Sequence, residues 1–380
     1  MQWNPQQIKQ KTWFERFSEQ PHQLFFTSAL FFAVFFMVGT FLSLMGLNID
    51  FQRVHIFGLI YGVFINAILG FLLTVIPRYT KSIMVKKEDY TSIWILFHLG
   101  LFLTLIGFEN ISKAFIGSTL VYCSIVFIET ILQGMDKKQI ESWYLSILVG
   151  IGGLITLFGV FVNFDFTAII LWWFLFPLVF VVAQRMLPAF YGVYFNTNVQ
   201  QKHVLFLPLS VFGFYAIGLS IYFNLDIITA LVSFAMGMLI LNFIIQNKLY
   251  RKAPAILSIL FIGISWLSIG FFSLAIESIL LEYSFSLSLH IFTLGFLSTL
   301  LIGFGYRVVL GHSGNKIEAD KTAIVIFSII QFVLISRIIA SILFINDSKV
   351  WIGFIHLGLM FWIVLFALWI IKQGKLLIRF

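Results

Sequence analysis

The dominant constraint in this chain is a recurring run of about twenty residues with almost no charge, the length a helix needs to cross the hydrocarbon of a bilayer. Twelve such runs can be read, at 24–46, 56–77, 91–108, 113–134, 143–163, 167–187, 204–223, 227–246, 255–276, 285–306, 322–344 and 351–371. The connections between them are short, so neighbouring spans run antiparallel. The expectation is an all-α polytopic membrane helix bundle of about 12 transmembrane helices. It forms a single integral membrane domain over residues 1–380, in which 1–23 is a polar, amphipathic segment. That segment does not read as a cleaved signal peptide, so the first span is expected to act as its own insertion signal. Composition agrees: 60% of the 380 residues are hydrophobic, 11% are charged and the mean hydropathy is +1.01, which excludes a soluble globular domain.

Charge orients the bundle. With the N-terminus placed in the cytoplasm, the loops on that side collect the basic clusters. These include Arg78, Lys81, Lys86 and Lys87 after span two, and Lys248, Arg251 and Lys252 after span eight. Of 24 Lys and Arg, the other side keeps only Arg53, Lys113 and Lys349, and Arg337 falls inside span eleven. Both termini are therefore expected on the cytoplasmic side of the membrane. The net charge of +8 is spread over the loops of one face, so it marks no nucleic-acid patch. One cysteine, Cys123, lies in an apolar run. It offers no disulfide within the chain and no CxxCH haem attachment, and it reads as a buried structural thiol.

Orientation turns positions into depths. His55 lies at the outer mouth of span two, and His290 lies about five residues into span ten, roughly 7–8 Å deep. His356 takes a similar place in span twelve, and Arg337 lies in the outer third of span eleven. An imidazole or guanidinium inside a span is costly without a partner, and iron or another metal is a common partner for histidine. His55 and His290 are thus candidate ligands, and His356 is a third candidate for a metal. His98, nearer mid-span, reads as structural. His22, His203 and His312 fall at or beyond the cytoplasmic surface. Arg337 has two readings: an ion pair with Glu277 or Glu282, or a clamp on an anionic cofactor group.

In span two, His55, Gly58, Gly62, Asn66 and Gly70 recur on one helical face. Gly58 and Gly62 serve either close helix packing or a flat cofactor beneath His55. Asn66 needs a polar partner in either case.

Three stretches carry a family resemblance. They are GFLLTVIP at 70–77, QRMLPAF at 184–190, and HIFTLG at 290–295 followed by RVVLGHSG at 307–314. Together they resemble the NnrS family of bacterial membrane proteins, with its GFLLTAxP, GRVIPFF and HALTVGA…RVSLGHTG segments. The family's WHAHEM motif is only partly kept. His55 matches its first histidine, while Phe57 and Gly58 stand at the second histidine and the glutamate. The resemblance implies haem b, copper as a second metal, nitric oxide as the small-molecule ligand, and a place in nitrosative stress and denitrification, with an unnamed respiratory electron donor. It leaves open whether the protein is a nitric oxide-metabolising oxidoreductase or only binds the gas. Spans two and ten are also the spans that carry low-spin haem ligands in haem–copper oxidase main subunits. Spans two, six and ten each end near a basic residue, which suggests three groups of four helices by analogy.

Two other functions fit twelve spans: a transporter, and an assembly or interaction factor for a respiratory redox enzyme. The former lacks a DRxGRR loop after span two, and few acids lie within the membrane. The orientation has a direct test. A reporter fused behind Phe380 is expected to be active only as a cytoplasmic reporter, and periplasmic activity there would invert the bundle.

Overall fold

The structure is a computed structural model that describes residues 11–162, 166–198, 203–280 and 286–378. Among these residues every regular element is a helix. A short helix α1 (Trp13–Phe17) opens the chain, closed by a capping box between Thr12 and Glu15. Twelve long helices follow. They are α2 (Pro21–Leu44), α3 (Gln52–Thr80), α4 (Lys87–Leu105), α5 (Glu109–Gln133), α6 (Ile140–Phe161) and α7 (Thr167–Phe195). The second half holds α8 (Phe206–Tyr222), α9 (Asp226–Gln246), α10 (Ala255–Leu280), α11 (Ser286–His312), α12 (Lys321–Ile345) and α13 (Trp351–Ile378).

Each of the twelve expected spans thus falls on one helix. Ten of the helices are long and apolar enough to cross a membrane. The two that fall short do so for local reasons. The first turn of α4 carries Lys87, Glu88 and Asp89. Helix α8 has 17 residues, about 25 Å, against a hydrocarbon core of roughly 30 Å.

Local signals set the ends. The Asp50 carboxylate accepts from the Gln52 and Arg53 amides at the start of α3, and Asp320 accepts from Ala323 at the start of α12. Left-handed residues, Lys81 and Asn196, end α3 and α7. Gln23 in α2 donates to the Leu377 carbonyl in α13, so both ends of the helical region lie at one end of the bundle.

Three helices are set apart by burial. The apolar stretches of α3, α7 and α11 are 89%, 78% and 67% buried, against at most 56% for the other spanning candidates. These inner helices sit at the joints between three outer arcs: α4–α5–α6, α8–α9–α10 and α12–α13–α2. Each inner helix has a π-helical stretch toward the end remote from the termini, at Gln52–Ile65, Leu171–Leu175 and Ile291–Ser298. Toward the other end each carries an arginine: Arg78, Arg185 or Arg307. Arg185 of α7 lies over the Tyr79 ring of α3, and Arg307 of α11 lies over the Phe190 ring of α7, at 4.1 and 3.9 Å. The sequence is thus folded as four helices repeated three times, one inner helix per repeat.

Close contact between helices rests on small residues, as it must where lipid supplies no hydrophobic drive. One close crossing joins α5 and α6. A Cβ on Gly117 would lie 2.9 Å from the Gly153 carbonyl oxygen, and a Cβ on Gly153 would lie 2.8 Å from that of Gly117. Backbone cannot yield as a side chain can. Gly117→Leu is therefore expected to cost about 1–3 kcal/mol or more, read as a lower melting temperature in detergent, whereas Gly353→Leu, with open space around it, is expected to leave melting unchanged.

Candidate functional site

At the end remote from the termini, α2, α3, α7, α11, α12 and α13 line a cavity of about 350 Å³. His55, His290 and Arg337 all line it, and most of the remaining wall is apolar, with Phe64, Leu171, Leu294 and Trp362 among its members. Residues 235 and 282 positions beyond His55 are thus brought to one chamber by the inner helices α3 and α11 and their neighbour α12.

The two imidazoles are held differently. His290 Nδ1 donates to the Ser286 carbonyl oxygen at 2.6 Å, which fixes the ring and leaves Nε2 as its free lone pair. His55 stacks on Phe51, with ring centroids 4.9 Å apart, and its Nδ1 is buried without a hydrogen-bond partner. A buried unpaired nitrogen costs about 1–3 kcal/mol, so His55 is incompletely satisfied by the protein's own groups.

Arg337 resolves one of the two sequence readings. Its Nη1 donates to Ser341 Oγ and its Nη2 to Ser286 Oγ, both at 3.2 Å. Glu277 is spent elsewhere: its carboxylate accepts from the Leu287 and Ser288 amides at 3.2 and 2.9 Å, capping the first turn of α11. Glu282 lies outside the described residues. Among the described residues Arg337 has neutral partners only, so its charge stands over the cavity without an anion.

Other expected members fall away. A Cβ on Gly58 or Gly62 would lie 2.5 Å from the Phe36 ring of α2. That ring fills the space a flat cofactor was expected to use, so these glycines serve helix packing and neither lines the cavity. His356 is outside the lining as well; it faces Phe41 edge-on at 5.5 Å, with Nδ1 buried and unpartnered. Among the described residues no three His, Cys, Asp or Glu converge on a metal-sized site. His55, His290 and His356 thus do not form a three-ligand copper site, for want of convergence. His98 donates from Nδ1 to the Trp94 carbonyl and faces the Asn66 amide, which also donates to Ser28 and Gly62. It is part of a structural polar cluster in which the Asn66 side-chain NH2 finds its partners, while Asn66 Oδ1 has none among the described residues. Cys123 is buried.

One feature escaped the sequence. His22 is 1% exposed, and its ring lies 4.3 Å from that of His312 at the terminus-proximal end. His22 had read as a surface residue because it precedes the apolar run. Pro21 in the first turn, a helix-start signal, marks the earlier beginning of α2.

A family model described as NnrS protein matches residues 16–380. The chain belongs to the NnrS family. No curated protein matches it. The NnrS match runs through all twelve long helices and so through every residue of the cavity.

The cap on α11 gives a prediction. Glu277→Ala leaves two buried first-turn amides without an acceptor, and the protein is expected to lose about 1–3 kcal/mol of stability. Denaturant titration in detergent micelles measures it, and an unchanged midpoint would remove Glu277 from the support of His290.

Proposed function

We propose that this NnrS-family protein is an inner-membrane haem protein that binds nitric oxide in the cavity between α3, α11 and α12, on the outer side of the membrane. The observation that carries the reading is the set of groups on one apolar wall: two imidazoles of unequal fixation and a guanidinium with no anionic partner among the described residues. These suit haem b. His290 and His55 would hold the iron through imidazole nitrogens, and Arg337 would hold a propionate through paired hydrogen bonds. Haem iron supplies the position at which a neutral diatomic gas binds.

The chain's own residues divide the work. His290 is tethered through Nδ1 to the Ser286 carbonyl and stays in place. His55 has no such tether and is the imidazole able to swing aside for a gas. Arg337 anchors the edge of the ring system and neutralises its charge in the membrane. The apolar walls keep water out and admit a small apolar gas that partitions through the bilayer. Among the described residues no three His, Cys, Asp or Glu side chains converge, so copper has no part in the reading.

Haem content of purified variants tests it. His290→Ala is expected to lose haem, and His55→Ala to keep haem with altered coordination. Arg337→Leu removes charge-assisted hydrogen bonds worth about 1.5–3 kcal/mol, so haem retention is expected to weaken by tenfold or more. Full haem content in both His290→Ala and Arg337→Leu would overturn the site.

A further inference from the structure

A second cavity, of about 330 Å³, lies beside the first and shares Ile56, Ile60 and Thr167 with it as a common wall. Its character is different. Four charged groups stand in its lining: Asp50, Arg53, Glu109 and Lys113. Deeper positions along α3, α6 and α7 supply Phe57, Tyr61, Ile155 and Phe166. The end of the bundle remote from the termini is poor in bases, holding only Arg53, Lys113 and Lys349 in its loops and helix ends, and two of these three line this one cavity.

The charges limit what fits. Among the described residues two carboxylates and two cations balance in the lining, so neither an anion nor a cation is drawn in strongly. Arg53 is already paired to Glu109 at 3.0 Å, while Lys113 donates to the Gly159 carbonyl at 3.3 Å. The arrangement suits a neutral head that both donates and accepts hydrogen bonds, with a flat apolar body set against the aromatic rings. Tyr61 adds a hydroxyl at depth: it meets Thr156 Oγ at 3.0 Å, and Thr156 donates to the Gly152 carbonyl. The shared wall is a single layer of side chains, which places anything bound here within electron-transfer reach of the neighbouring chamber.

We infer that this cavity binds a lipid-soluble hydroquinone that serves as the electron donor to the adjoining site. The inference deepens the haem reading and rests on it for the electron acceptor. The chemistry balances. One hydroquinone becomes one quinone, its two O–H bonds break, and two protons pass by way of the Glu109 and Asp50 carboxylates to water. The two electrons would pass one at a time across the Ile56, Ile60 and Thr167 wall to ferric haem held in the neighbouring chamber, two haem equivalents being reduced per hydroquinone. Lys113 donates to the quinone oxygen that forms.

The test is binding of a short-tailed benzoquinone to the purified full-length chain, measured by equilibrium dialysis with and without haem loading. One saturable site is expected. Lys113→Leu removes a hydrogen bond from a charged donor and is expected to weaken binding by about tenfold to a hundredfold. Gly159→Leu fills the cavity from α6; its Cβ would sit 3.4 Å from Phe166 and 3.6 Å from Lys113, ordinary contacts that leave the helix undisturbed. It is expected to abolish binding and also the reduction of ferric haem by added hydroquinone. Lys349→Leu, a change in the third base of this end, is expected to alter neither. Absence of saturable binding overturns the inference, as does equal binding by Gly159→Leu, or displacement by anionic phospholipid but not by hydroquinone. A normal haem spectrum beside any of these leaves the haem reading standing. Quinone binding by a chain that takes up no haem overturns the donor role and the haem reading together.

Discussion

A bilayer offers no hydrogen-bond partner to a polar group placed inside it, and each unsatisfied group there costs several kcal/mol. That constraint makes the few polar side chains within these helices interpretable. Asn66, His98, Ser28 and Trp94 satisfy one another across α2, α3 and α4. Glu277 spends both carboxylate oxygens on the backbone of α11. Where the accounting closes, the groups are structural. It stays open at scattered single atoms such as Asn66 Oδ1 and His356 Nδ1, and at the cavity, where His55 lacks a partner for Nδ1 and Arg337 lacks a counter-charge among the described residues. The two open groups at the cavity face one space, and a ligand is the simplest way to close them.

The fold explains why those positions coincide. Four helices repeated three times put one inner helix at each joint between outer arcs, and each inner helix is π-wound toward the same end. A π turn inserts a residue into the helix and re-aims the side chains around it, and such turns concentrate at functional sites. Two of the three inner helices bring a histidine there. The third, α7, brings Trp172, which packs edge-on against Phe292 of α11 with ring centroids 5.0 Å apart. The repeat is therefore used unequally: two inner helices supply candidate ligands, and the third supplies a packed wall.

Much of this was legible in the sequence because hydrophobic length and charge asymmetry are strong, local signals. The twelve long helices follow from them, as does the placement of His55, His290 and Arg337 toward one end of the bundle. Signals that depend on a partner helix were not legible. Gly58 and Gly62 read equally as a cradle or a packing face, and only the position of Phe36, some twenty residues earlier in the chain, decides between them. His22 looked exposed because its burial comes from α11 and from the end of α13, far away in sequence. Arg53 and Lys113 gave no sign of sharing a cavity, since 59 intervening residues hide the contact between their helices. The π stretches carry no pattern distinct from an ordinary apolar helix.

The central claim is that His55 and His290 both belong to one haem site. Electron paramagnetic resonance of the oxidised, purified protein tests it most directly, because the signal of ferric haem reports its axial ligands. The account predicts a low-spin ferric signal of bis-imidazole type that turns high-spin in His55→Ala. A protein that purifies without haem, or a wild-type signal that is high-spin throughout, would contradict it.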